Sequence, residues 1–181
     1  MTGDYIVGRI EREGGREESL LVPRPVYADD LEVGLDFQID RTIVVAEERV
    51  WQFAMATGDL NPLHFDDTFA ASSLLRGKVV HGLLVVGTVH GVLHAERFWA
   101  RSLQALSALD RIRFVRPIRF GDVLSYKLRV AGIEGMERKW ELPALPPMSI
   151  VRFAFQIFRN GDGKVAVEGE FSVVLPNTRA A

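Results

Sequence analysis

Residues 79–95 carry no Asp, Glu, Lys or Arg, and this apolar run constrains the fold more than any other stretch of the chain. A helix that is apolar on every side must be enclosed, either by lipid or by the rest of its own protein. The run is close to the ~17-residue lower limit for a membrane span, and Gly87-x-x-x-Gly91 fits the spacing of packed membrane helices. It also holds His81, His90 and His94 together with Gly82, Gly87 and Gly91, which is poor composition for hydrocarbon. We therefore read it as a helix over about residues 81–99, buried inside a globular body.

The rest of the chain supplies the enclosure. Leu124, Tyr126, Leu128 and Val130 alternate with Ser125, Lys127 and Arg129, and Val151, Phe153, Phe155 and Ile157 alternate in the same way. Period two is the mark of a half-buried strand. Asn160-Gly-Asp-Gly163 is a turn signal, and residues 165–175 read as the return strand of a hairpin. Residues 111–120 form a further strand, with Pro117 requiring an edge or a bulge. Residues 136–142 are a weaker strand candidate, and Pro143, Pro146 and Pro147 mark a loop after it.

Upstream, residues 37–45 have strand composition, and residues 47–57 place Val50, Phe53 and Ala54 at helical spacing behind Glu47 and Glu48. Asp66 or Asp67 caps a short helix to about residue 75, which Gly77 ends. An antiparallel sheet wrapped around one long apolar helix accommodates all of these segments. The fold class is α+β.

A length of 181 residues with 48% hydrophobic content suits a single domain with a packed core. Residues 1–24 are charged, contain Gly14-Gly15 and end at Pro23 and Pro25. We read them as an N-terminal extension, free to move and without chemistry, ahead of one domain over residues 25–181. The net charge of −2 gives no general attraction to nucleic acid or to an anionic membrane. The absence of cysteine removes disulfides, thiolate catalysis and thiolate metal sites, and fits a cytoplasmic setting. Met1 to Tyr5 show no basic region leading into an apolar stretch, so no secretory signal is read there.

The chemistry-bearing segment is Ala54-Met-Ala-Thr-Gly-Asp-Leu-Asn-Pro-Leu-His-Phe-Asp66, followed by His81-Gly82 at the head of the apolar helix. Gly58 and Pro62 interrupt helical structure, and between them the loop presents a carboxylate, Asp59, and leads to an imidazole, His64. Asn61 suits a structural part, tying the loop through side-chain bonds to backbone. His81 is read as a loop anchor bonded to backbone, and Gly82 opens a helix whose first N–H groups have no partner of their own. His90 and His94 share a helix face, but no Glu follows His90 and no third ligand stands near in sequence, so no metal is expected. Residues 160–164 are too short for a phosphate loop, and no Gly-x-Ser-x-Gly element exists.

At these residues the chain resembles the MaoC-like dehydratases, the (R)-specific enoyl-CoA hydratase group with the hot-dog fold. The resemblance rests on Gly-Asp-x-Asn-Pro-Leu-His followed by His-Gly, and on Phe114-Val-Arg-Pro-Ile-Arg-Phe-Gly-Asp122, and it covers about residues 27–175. It implies that Asp59 and His64 are the catalytic pair, acting without a cofactor on an acyl-CoA or acyl-carrier-protein thioester. It also implies a homodimer or higher homo-oligomer with the pocket near the interface. Some relatives carry a serine in the central helix where Gly87 stands here, and the extension before Tyr27 exceeds what the family domain requires.

The expected reaction adds water syn across a trans-2-enoyl thioester to give an (R)-3-hydroxyacyl thioester, or reverses that step. Asp59 activates water, His64 helps hold it and delivers a proton at C2, and the Gly82 N–H stabilises the enolate-like oxygen. A thioesterase of the same fold is the enzymatic alternative. A non-catalytic subunit that binds acyl thioesters is the other, although such a module has no need of Asp59 and His64.

Overall fold

The computed structural model describes residues 5–136 and 146–178. Among these residues seven strands run β1 Tyr5–Arg12, β2 Arg16–Pro23, β3 Asp36–Val44, β4 Ala105–Phe114, β5 Val123–Gly135, β6 Met148–Arg159 and β7 Val165–Pro176. Four α-helices, α1 Glu47–Thr57, α2 Pro62–Phe65, α3 Asp67–Ser72 and α4 Gly82–Ala95, all lie between β3 and β4, and one 3-10 turn, Ala28–Asp30, precedes β3. The strands make one antiparallel sheet in the order β2-β1-β3-β5-β6-β7-β4.

Alternation decides which face of the sheet meets α4. On β5 the buried side chains are Leu124, Tyr126, Leu128 and Val130, and on β6 they are Val151, Phe153, Phe155 and Ile157. These face Val85, Val86, Val89, Val92 and Leu93 of α4 in a single core. Each fully buried aliphatic or aromatic side chain contributes roughly 1.5–3 kcal/mol of transfer free energy, so this face supplies much of the driving force for folding. No described helix is long and apolar enough to cross a membrane.

Several elements differ from what the sequence led us to expect. The central helix ends at Ala95 instead of near residue 99. Arg97 adopts a left-handed φ of 56°, and the Phe98 N–H closes on the Leu93 carbonyl at 2.9 Å. This turn sends Phe98 and Trp99 back into the core, where they pack edge to face with centroids 5.0 Å apart. The strand expected at 111–120 begins at Ala105 and stops at Phe114, so Pro117 lies beyond it; the strand is nevertheless an edge of the sheet.

Residues 5–23, assigned to an extension, form a hairpin that joins the sheet at Gly8↔Phe37 and Arg9↔Asp36 and buries Ile6, Ile10 and Val22. The short helix after Asp66 stops at Ser72, before residue 75, and α2 was not anticipated. Of the weak strand proposed at 136–142, only Met136 falls within the described residues, just after the end of β5.

Candidate active site

The site begins where α1 ends. Gly58 caps that helix with φ 77°, a left-handed conformation that a side chain disfavours, and its N–H bonds to the Ala54 carbonyl at 2.8 Å. The chain then turns back through Asp59 and Leu60. Asn61 Oδ1 accepts the Leu63 N–H at 2.9 Å, and Pro62 takes the first helical position, where a missing N–H costs nothing. This cap starts the single turn of α2, on which His64 sits. Asp66 then caps α3 by accepting the Phe69 N–H at 2.9 Å.

The result is a half-exposed carboxylate above a buried imidazole. Asp59 Oδ1 accepts the Asn61 N–H at 3.3 Å, and His64 is 8% exposed. His64 Nδ1 lies 2.7 Å from the Val79 carbonyl. A carbonyl only accepts, so Nδ1 carries the proton and proton exchange is left to Nε2. His81, 2% exposed, points its Nε2 at the Asp59 backbone carbonyl, 2.9 Å away, and lies 3.9 Å from Asp59 Oδ2. The His64 and His81 rings stack with centroids 3.7 Å apart and planes inclined by 28°.

One carboxylate oxygen of Asp59 and one ring nitrogen each of His64 and His81 lie within 4.8 Å of one another, the only such trio of His, Cys, Asp or Glu among the described residues. That separation is what a water bonded to two groups spans, since two O–H···X bonds of about 2.8 Å meet at a tetrahedral oxygen. Both histidines donate one ring N–H to a backbone carbonyl, which fixes the tautomer of each ring.

His81 is also the residue before α4, and Gly82 is its first helical residue. The structure therefore gathers Asp59, His64, His81 and the amino end of α4 from two separate segments, with Asn61 as the cap that turns the chain between the pair. Phe114, at the end of β4, lies against Gly82: a Cβ built there would stand 2.6 Å from Cε1 of that ring. The ring is 54% exposed. Nothing in the local sequence linked Phe114 or the Val79 carbonyl to the pair, because both reach it only through the packing of β4 and of the strap before α4. The strap is itself held by Arg119, whose guanidinium donates to the Leu75 carbonyl at 2.7 Å and the Lys78 carbonyl at 3.0 Å.

His90 and His94 lie elsewhere. His90 packs on Phe171 with centroids 4.7 Å apart, and burial holds its pKa below the ordinary value; His94 is exposed. Below α4, the Tyr126 hydroxyl donates to Thr88 Oγ1 at 2.9 Å, and burial pushes its pKa up to about 12. A recess of about 1470 Å³ lies on the sheet among charged residues such as Arg9, Arg113 and Lys127. None of Asp59, His64, His81 and Gly82 lines it.

Residues 29–142 match the MaoC like domain. The chain is 32% identical over 119 residues to the 3-hydroxybutyryl-CoA dehydratase of Methylorubrum extorquens, covering 66% of this chain and 73% of that one. It is 31% identical over 149 residues to the (R)-specific enoyl-CoA hydratase of Aeromonas caviae, covering 82% and 98%. A Mycobacterium tuberculosis protein described as having a double hot-dog fold superposes with a TM-score of 0.71 at 20% identity, covering 86% of this chain and 45% of that one. The chain belongs to the MaoC-like domain family, and the sheet around α4 is a hot-dog fold.

Proposed function

We propose that the protein is a hydratase or dehydratase of acyl thioesters, adding water syn across a trans-2-enoyl-CoA to give an (R)-3-hydroxyacyl-CoA, or running the reverse. The observation that carries this reading is the approach of Asp59 and His64 to within 4.8 Å beside the amino end of α4. The named activities of the dehydratase and hydratase relatives support it.

Asp59 takes a proton from water as the water oxygen bonds to C3. The electron pair of the C2–C3 double bond moves toward C2 and the thioester oxygen, and that oxygen is held at the Gly82 N–H, where the helix dipole favours negative charge. His64, in its imidazolium form, gives its Nε2 proton to C2. The proton on Asp59 then passes to His64, and the pair returns to its starting state. Because both groups reach the substrate from one side, hydroxyl and hydrogen enter the same face. Water supplies every atom added, so no cofactor takes part in this scheme.

The carrier is proposed to be coenzyme A, with acyl-carrier protein as the alternative thioester. We further propose a homodimer. Leu83 on α4 is 65% exposed, Gly87, Gly91 and His94 continue that open face along the helix, and β4 leaves Leu106 and Leu109 exposed on an unpaired sheet edge. A monodisperse monomer in sedimentation at micromolar concentration contradicts the dimer.

Incubation with crotonyl-CoA tests the reaction. Loss of the enoyl absorbance without free thiol is the expected result. Release of free thiol supports the thioesterase instead, and tight acyl-CoA binding without turnover on any enoyl or hydroxyacyl thioester supports the non-catalytic subunit.

A further inference from the structure

His81 has no step of its own in the reaction above, yet it touches both groups that do. We propose that His81 is the positioning residue of the pair: its Nε2–H holds the Asp59 backbone, and its ring is the floor on which the His64 imidazole rests. This rests on the hydratase reading for its kinetic consequence, but not for its geometry.

The loop is closed on either side of Asp59 by short bonds, but those of Asp59 itself are long. The Asp59 N–H reaches Thr57 Oγ1 at 3.4 Å, and Asp59 Oδ1 receives the Asn61 N–H at 3.3 Å, both near the long limit of a hydrogen bond. The bond from His81, made across 22 residues of sequence, is 2.9 Å. It is the shortest restraint on Asp59, and it comes from a side chain 2% exposed and packed near Phe53 and Phe65, with ring centroids 5.1 and 5.8 Å away. Asp59 is therefore tied more closely by this anchor than by its own neighbours in the loop.

The same ring lies under His64. The Val79 carbonyl fixes one edge of the His64 imidazole, and the stack at 3.7 Å fixes its plane. Val79, His81 and Gly82 are nearly consecutive, so one short strap sets the acid, the base and the proposed oxyanion donor relative to one another. Arg119 ties that strap from behind.

One further detail separates positioning from packing. His81 Nδ1 is buried and has no partner among the described residues. A residue needed only to fill this space would be apolar and would leave no buried lone pair unpaired. The donor on the opposite nitrogen gives a reason for a histidine here.

The test compares His81→Phe, which keeps a ring and loses the donor, with His81→Gln, whose Nε2 can reach the Asp59 carbonyl. Both are assayed on crotonyl-CoA beside the wild type, with thermal melts to confirm folding. A misplacement of about 1 Å costs on the order of 100-fold, so His81→Phe is expected to lose about 10- to 100-fold in kcat with KM within about three-fold. His81→Gln is expected to recover at least about five-fold over His81→Phe, since it restores the restraint on Asp59. Nitrogen-15 correlation spectra of the wild type at pH 8 are expected to show the neutral His81 proton on Nε2 and that of His64 on Nδ1.

Wild-type kcat in His81→Phe, equal impairment of the two variants, or a His81 proton on Nδ1 each overturns the proposal. A wild type that hydrates no enoyl thioester sinks the hydratase reading alone. The spectra then decide the positioning, as they also do if the variants fail to fold.

Discussion

The imidazoles of His64 and His81 stack face to face at 3.7 Å yet carry their protons on opposite nitrogens. His64 donates from Nδ1 to the Val79 carbonyl, and His81 donates from Nε2 to the Asp59 carbonyl. Each ring is thereby locked by backbone, and the two have different freedoms. His64 leaves Nε2 clear of that bond, whereas the remaining nitrogen of His81 is sealed from solvent.

Substitution of the pair should separate chemistry from folding. Asp59→Asn and His64→Ala are each expected to lower kcat by at least ~10², the usual scale of general acid–base assistance. Asp59 is half-exposed, so Asp59→Asn should melt close to the wild type. His64→Ala should melt lower, because it leaves the Val79 carbonyl without its partner. Near-normal turnover in either purified variant removes that residue from the mechanism.

The amino end of α4 invites a double-mutant cycle. A methyl at Gly82 would stand 2.6 Å from the Phe114 ring, which is 54% exposed and free to swing aside. Gly82→Ala is expected to reduce kcat/KM by at least about ten-fold, below the ~10²–10³ of a lost oxyanion donor because the N–H itself remains. Adding Phe114→Ala should restore part of that loss. Strict additivity of the two changes in kcat/KM would show that the ring and the glycine do not communicate.

Acid stability should depend on His90. Its folded pKa lies below the ordinary 6.5 because burial against Phe171 and Trp99 disfavours the charged form. Below pH 6.5 the unfolded chain therefore binds more protons than the folded one at this position, and its contribution to stability, present above 6.5, is lost as pH falls. His90→Leu should show a smaller drop in Tm between pH 7.5 and 5.5 than the wild type. An identical drop would mean that His90 already titrates normally in the folded protein.

Tyr126 sets the alkaline counterpart. Its pKa is raised from 10.0 to about 12, chiefly by burial, so the folded state retains its proton where the unfolded state has lost it. The stability it contributes is intact below pH 10 and is lost between about 10 and 12. Tyr126→Phe should remove the latest step from the ultraviolet titration of the three tyrosines. It should also cost about 0.5–1.5 kcal/mol near neutral pH, the worth of one hydrogen bond to Thr88. If all tyrosines titrate together near pH 10 in the native protein, the buried hydroxyl is not as described.

Elements with a complete local signal were legible. Helix α1 occupies Glu47–Thr57 as expected, because its acidic first turn and its Gly58 cap are both written in adjacent residues. The alternation on β5 and β6 likewise needed only period two to reveal the inward face. Helix α2 escaped notice because four residues show no period, and its start depends on the side chain of Asn61. The hairpin of β1 and β2 did carry a signal, Gly14-Gly15 between segments holding Ile6 and Ile10 on one side and Leu20 and Val22 on the other, but charge obscured it. The end of α4 was misplaced because Phe98 and Trp99 look helical in sequence and are drawn into the core by Phe37, Phe153 and Phe171.

By itself, the sequence determined that an apolar helix had to be wrapped by alternating strands, and that Asp59 and His64 would follow α1 within a few residues of each other. Period and turn chemistry act between near neighbours, so a string of residues carries them. Only the tertiary structure decided that Val79, His81 and Phe114 meet that segment, which nitrogen of each histidine holds its proton, and where Gly82 stands. Those relationships arise from contacts across many residues, where burial and hydrogen-bond geometry choose among arrangements that the local sequence leaves equal.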